Sequence, residues 1–117
     1  MAEESGCLFC RIINRKIPAD IVTEEDELLA FRDINPQAPV HLLIIPTQHI
    51  PRLSDITEAN AHLLSKALLL ANRLAHENNL FENGYRIVIN NGREAGQSVF
   101  HLHLHLLGGR PMRWPPG

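Results

Sequence analysis

Residues Val99 to Gly109 read VFHLHLHLLGG, with His101, His103 and His105 on alternate positions and leucines between them. Successive side chains of a β-strand point to opposite faces. On a strand over Val99–Leu107 the three histidines therefore share one face, about 7 Å apart at roughly 3.3 Å per residue, and Leu102, Leu104 and Leu106 share the other. The leucine face can be buried while the imidazoles line a surface. Three readings of the row are open: an amphipathic strand whose exposed face carries histidine, a three-histidine metal site, or a catalytic row. In the last, one imidazole is a nucleophile and its neighbours are hydrogen-bond donors and acid–base groups. A single row converges poorly on one ion, and lysine, threonine or glutamate would serve a plain exposed face as well.

The segment just upstream bears on the choice. Asn90 to Ser98 reads NNGREAGQS. Gly96 permits close backbone approach, and the N–H groups of Gln97, Ser98 and Val99, with the Ser98 hydroxyl, can cradle an anion. No Lys or Arg falls between Gly96 and Gly109. A phosphate bound there must rely on backbone donors and imidazolium, which suits a singly charged phosphodiester or phosphoramidate better than a polyphosphate.

The whole chain, 117 residues, suits one domain long enough to bury a core. Its formal charge of −2 leaves no excess of Lys and Arg to neutralise a nucleic-acid backbone. No apolar run approaches the length of a membrane span. The start, MAEESGC, is acidic and polar, unlike a signal peptide. The expected location is the cytoplasm, where Cys7 and Cys10 are reduced thiols or metal ligands rather than a structural disulfide.

Periodicity gives the remaining elements. CLFCRIINRKIP, with Leu8, Phe9, Ile12 and Ile13, suits a short helix stopped by Pro18. DIVTEED and ELLAFRDI read as two strands joined by an acidic turn over Glu24–Glu27, and VHLLIIP as a central strand ended by Pro46. The stretch from Ile56 to Leu80 is the one long helix. Its apolar face is Leu63, Leu64, Ala67, Leu68, Ala71, Leu74 and Ala75, with Asp55 or Thr57 capping its start and Asn78-Asn79 its end. YRIVINNG is a fourth strand and Val99–Leu107 a fifth. The order predicts an α+β domain, an antiparallel sheet with both helices on one face. Arg110–Gly117, with three prolines, is an irregular tail.

HLHLHLL matches the His-x-His-x-His-x-x motif of the histidine triad (HIT) superfamily of nucleotide hydrolases and transferases. DINPQAPVHLLIIP, GQSVFHLHLHLLGGR and the ending WPPG resemble its HINT branch, the purine nucleoside phosphoramidases. The resemblance runs from about Phe9 to Gly117. It implies a HIT fold over residues 1–117, with about five antiparallel strands, one short and one long helix, a flexible segment 1–6, and a sheet continued across a homodimer. It implies a nucleotidyl-histidine intermediate on His103, with His105 donating to the phosphate oxygens, Ser98 near the leaving group, and His41 and His101 supporting the row. His41 alone reads equally as a structural histidine.

For the nucleotide, the resemblance assigns Asp33 to the ribose, with Ile34, Phe31, Phe9 and Ile12 walling the base. Asn90, Gly96, Gln97, Ser98 and Val99 contact phosphate with His103 and His105. The tail 110–117 with Trp114 reaches the partner's active site. The implied activity is hydrolysis of the P–N bond in AMP or GMP phosphoramidates, including adenylated lysine, with no organic cofactor. Alternatives are a dinucleoside polyphosphate hydrolase and a catalytically weak nucleotide-binding module.

Cys7 and Cys10 admit three readings: half of a zinc site, a redox pair, or buried thiols. Some relatives complete such a pair with two histidines, which map here to His49 and His101 and make structural zinc a candidate. Close HINT relatives with the WPPG ending commonly lack the cysteines. His62 and His76, on the long helix, are expected to face solvent.

Overall fold

The structure, a computed structural model, describes residues 6–117; the expected flexible segment 1–6 lies, for residues 1–5, outside the described residues. The chain runs α1 (Leu8–Ile13), β1 (Ile21–Glu25), β2 (Leu28–Arg32), β3 (Val40–Pro46), α2 (His62–Glu77), β4 (Tyr85–Val88) and β5 (Leu104–Gly108). The five strands form one sheet in the order β1-β2-β3-β5-β4, every neighbour antiparallel. β1 and β2 turn through Asp26 and Glu27, whose φ angles of 52° and 70° give the left-handed pair a tight two-residue hairpin requires. α2 carries the chain from β3 to the far edge, and β5 then returns between β3 and β4. The histidine-bearing strand is thus bonded on both sides.

Period-two alternation splits the core. Leu28, Ala30, Leu42, Ile44, Leu104 and Leu106 point to one face and pack under Ala67, Leu70, Ala71, Leu74 and Ala75 of α2. Leu29, Phe31, Leu43 and Ile45 point to the other and pack under Phe9, Cys10, Ile12 and Ile13 of α1. The two helices therefore lie on opposite faces, not on one. Each is amphipathic, and only the odd–even register of the strands they meet decides the side. Leu102 belongs to a third cluster with Ile50 and Leu63.

Other boundaries also differ from expectation. α1 ends at Ile13, well before Pro18, because Asn14 closes it and Arg15 turns into a positive φ of 61°. α2 begins after Ala61, with no side-chain cap; Thr57 donates its backbone N–H to Asn60 Oδ1 instead of capping. On its face Leu70 is buried and Leu68 is 42 % exposed. Asn78 ends the helix as expected. β5 starts at Leu104 rather than Val99, since its last pairing with β3 is Ile44↔Leu104. Among the described residues no helix is long and apolar enough to cross a membrane.

Leu106 is fully buried at the centre of the α2 face. Leu106→Ala should cost about 2–5 kcal/mol of unfolding free energy, the usual range for a leucine cavity in a core, read as a fall in the urea midpoint at unchanged slope.

Candidate active site and metal centre

The sheet's α1 face carries the histidines. His105 sits on β5 opposite Leu43 of β3 and Val88 of β4. His103 and His101 precede the strand, His101 in a bend, and the His103 ring stays on the same face as His105. The His103 and His105 rings meet at 5.1 Å between centroids, while Leu104 and Leu106 stay in the opposite core.

His103 and His41 each have one ring nitrogen tied to the main chain, and His105 is tied to His41. His103 Nδ1–H donates to the carbonyl of His101 at 2.7 Å. Its Nε2 therefore keeps a lone pair. His41, on β3, accepts the Gln37 backbone N–H at Nδ1, 3.0 Å. The His41 proton must then sit on Nε2, which lies 2.9 Å from His105 Nδ1 and donates to it. His105 consequently carries its own proton on Nε2 as a donor. Asp33 Oδ2 stands 3.4 Å from His41 Nε2, and its Oδ1 accepts the Asn35 N–H at 2.8 Å.

Burial holds these rings neutral. His105 is pushed down to about 4, chiefly by desolvation and then by the neighbouring His103 and His41, with Asp33 opposing. His103 and His41 are lowered by burial, also against the pull of Asp33. The expected imidazolium is thus not the resting form: His105 offers a neutral N–H.

A cavity of about 350 Å³ opens beside His103 and His105. It brings together Phe9, Ile12, Phe31, Asp33, Ile34, Ser98 and Val99 with those two histidines. Leu8, Ile17, Pro18, Ala19, Arg32 and Leu43 also line it and were not anticipated. Leu43 was findable from its place opposite His105 in the ladder; Ile17–Ala19 reach the wall through the turn at Arg15, which carries no sequence signal. Phe9 and Phe31 meet edge to face at 5.5 Å, forming an apolar slot. Ile34 is 96 % exposed at the rim.

Three expected contacts lie elsewhere. Gln97 is buried and closes its own loop: its Oε1 accepts the Gly92 N–H, its Nε2 donates to the carbonyls of Pro51 and Val99, and its backbone N–H bonds Gly92. Gly96, with φ of 100°, turns that loop, and a Cβ there would stand 3.9 Å from the Asn90 amide. None of Asn90, Gly96 and Gln97 lines the cavity. A second cavity of about 450 Å³ shares Leu8, Ser98 and Val99 with the first.

His101 faces the other way along the same row. Its ring is fully buried and Nε2–H donates to the Pro46 carbonyl at 2.8 Å. Burial, with His49 and His103 nearby, lowers it to about 4. Its Nδ1 lone pair meets Cys7 Sγ at 3.4 Å, Cys10 Sγ at 3.6 Å and His49 Nδ1 at 3.2 Å; Cys10 Sγ lies 3.3 Å from His49 Nδ1. A tetrahedral zinc with bonds of about 2.0–2.3 Å has ligand–ligand edges of roughly 3.3 Å between nitrogens and 3.5–3.6 Å between nitrogen and sulfur. Four of the six edges lie near those lengths, and all four donor atoms are within 4.8 Å of one another, so the cluster can hold a metal. His62 and His76 are exposed on α2.

Residues 14–112 match the HIT domain family. The chain is 46 % identical over 112 residues to the purine nucleoside phosphoramidase of Escherichia coli, covering 96 % of this chain and 92 % of that one. An uncharacterised HIT-like protein of Synechocystis is 54 % identical over the full length of both. The crystal structure of a HIT family hydrolase from Legionella pneumophila superposes with a TM-score of 0.93 at 53 % identity, over 96 % of this chain and 100 % of that one.

A ring held near 4 when folded takes its proton later than the unfolded ring at about 6.5, so the unfolded state binds more protons between those values. Stability should therefore fall as pH drops from about 6.5 to about 4, with His105→Asn removing part of the slope. Urea midpoints across that range check it; a flat profile would contradict the neutral-ring assignment.

Proposed function

The chain belongs to the HIT domain family, and from that premise we propose that it is a purine nucleoside phosphoramidase working through a nucleotidyl-histidine. The carrying observation is the His103 ring: Nδ1–H is tied to the His101 carbonyl and Nε2 is left with its lone pair at the cavity wall. A neutral imidazole attacks phosphorus without first losing a proton. In this reading His103 Nε2 bonds to phosphorus as the P–N bond to the amine breaks. Water then attacks the nucleotidyl-histidine, releasing the nucleoside monophosphate and restoring the ring. Two easier displacements replace one hard one.

His105 Nε2–H donates to a non-bridging oxygen, a contact worth on the order of 2.7–4 kcal/mol of barrier. His41 fixes that tautomer. Ser98, on the wall shared by both cavities, passes a proton to the departing amine and regains one from the water that then attacks phosphorus, and the second cavity gives the amine room. The Phe9–Phe31 slot, with Ile12 and Ile34, takes the base, and Asp33 the ribose hydroxyls. These walls offer few groups to read the base edge, so adenine and guanine are weakly distinguished. The chemistry needs no organic cofactor. Zinc suits Cys7, Cys10, His49 and His101; with four protein ligands it would be structural, supplying a cross-link.

A homodimer completes the proposal. β4 is bonded on one side only, leaving its outer edge for a second sheet. The tail runs beside it, with Arg86 of β4 donating to the Arg113 carbonyl at 2.8 Å, and Trp114 is 81 % exposed. Trp114 then reaches the partner's amine side.

Two measurements test these assignments. His103→Ala should cut AMP release from a fluorogenic adenosine phosphoramidate by on the order of 10³-fold or more, and wild type given a slow substrate should carry the nucleotidyl group on His103. Equal rates would remove His103 from the mechanism, and AMP binding without turnover by wild type would favour a binding module. Deleting residues 110–117 should change the ranking of amine leaving groups more than the melting temperature; an unchanged ranking would end the tail assignment.

A further inference from the structure

His101 belongs to two systems at once. Its ring is a member of the Cys7–Cys10–His49 cluster, and its carbonyl holds the proton of His103. A carbonyl points where its residue's backbone torsions send it, so whatever fixes residue 101 fixes the nucleophile's tautomer and direction. The sheet does not do this, because β5 begins only at Leu104. Just one backbone hydrogen bond outside the strands reaches this stretch among the described residues, from the Leu102 N–H to Ile50. The His101 side chain supplies what the ladder lacks: Nε2–H is tied to Pro46, and Nδ1 is turned into the cluster.

A second link runs from the same cluster to the same ring. Phe9 lies between Cys7 and Cys10 in sequence and stands edge to face against both His101, at 5.9 Å, and His103, at 5.0 Å. Cys7 and Cys10 hold that turn of α1 against His101. The cluster thus reaches His103 through its hydrogen-bond acceptor and through its packing partner. None of the four cluster residues lines the cavity beside His103 and His105, so their effect on the His103 ring must pass through these neighbours; Cys7 and His49 do line the second cavity, on the amine side.

We propose that the metal-loaded Cys7–Cys10–His49–His101 cluster is a positioning device for the nucleophile, its occupancy setting the tautomer and aim of His103. The inference rests on the phosphoramidase reading for its kinetic arm only. Emptying the cluster lowers kcat by roughly 10–100-fold, the scale of a misplaced reacting group, while AMP affinity changes by less than about threefold.

The test uses the full chain with zinc bound, the same protein stripped by chelator, and His49→Ala and His49→Cys. His49 is the ligand to change because it lies outside the cavity that holds His103; it does line the second cavity, so the substrate-free His103 spectrum, which an altered amine pocket does not move, decides the test. Long-range ¹H–¹⁵N spectra of the imidazoles, with His103 assigned by substitution, report its tautomer without any substrate. The loaded protein should show His103 protonated only at Nδ1. The stripped protein and His49→Ala should show mixed tautomers and the kcat loss. His49→Cys, which restores a fourth ligand, should recover both when zinc is supplied.

Failure to bind zinc overturns the proposal. So does an unchanged His103 spectrum on stripping, or a His49→Cys protein that binds zinc without recovering. Global unfolding on metal loss would make the cluster a staple of the fold and overturn the positioning role. A His103 spectrum that responds to zinc in a protein without phosphoramidase activity would leave the device standing and reject the proposed substrate instead.

Discussion

A histidine with one nitrogen bonded to the main chain has no choice about the other, and this site is built on that constraint. The His101 carbonyl puts the proton of His103 on Nδ1. The Gln37 N–H puts the proton of His41 on Nε2, and His41 passes the same choice to His105. Three neutral rings acquire distinct chemical identities, a lone pair at one and an N–H at another, without any charge. Burial makes that stable: with His105 lowered to about 4, protonation does not scramble the tautomers near neutrality.

The fold provides the constraint cheaply because the same alternation serves two faces. Leu104 and Leu106 sink under α2 while His103 and His105 turn toward α1. A one-residue slip of β5 would exchange the two sets and bury imidazoles under α2. Register is therefore defended by the full apolar content of the α2 face, and the geometry of the candidate site inherits that defence. At the upstream end the ladder stops, since Pro46 offers no N–H to continue pairing beyond Ile44↔Leu104. Pro46 contributes its carbonyl to His101 instead.

What could be read from the sequence follows from locality. The alternation of His101–Leu106, the apolar run of β3 and the periodicity of α2 are all local patterns, and each element formed. The side of the sheet taken by α1 is set by which parity of β2 and β3 it meets, a long-range fact, and the sequence reading put it on the wrong face. Leu68 and Leu70 compete for burial within one helical turn, and only the helix's rotation on the sheet selects Leu70. For the site, Phe9, Ile12, Phe31 and Asp33 came with the family's motifs, yet Gln97 carried no sign that its amide would be consumed within its own loop. The tautomer chain from Gln37 through His41 was invisible, because a backbone N–H has no letter in the sequence.

In the proposed mechanism these facts separate the roles of three equivalent letters. His101 has its free lone pair turned onto two sulfurs and another imidazole, the setting of a metal ligand rather than of a nucleophile. His105 has its Nδ1 lone pair occupied by the His41 proton and keeps an N–H outward, so it is a donor. Only His103 combines a main-chain-bound Nδ1–H with an uncommitted Nε2 at the cavity. The middle position suits the proposed nucleophile's role by its partners: the residue before it in the row supplies the acceptor, and the residue after it the complementary donor. The two supports differ in kind: the donor beside the middle ring is the side chain of His105, whereas its acceptor is a main-chain carbonyl that stays at residue 101 whatever the side chain there and depends on that side chain only for its direction.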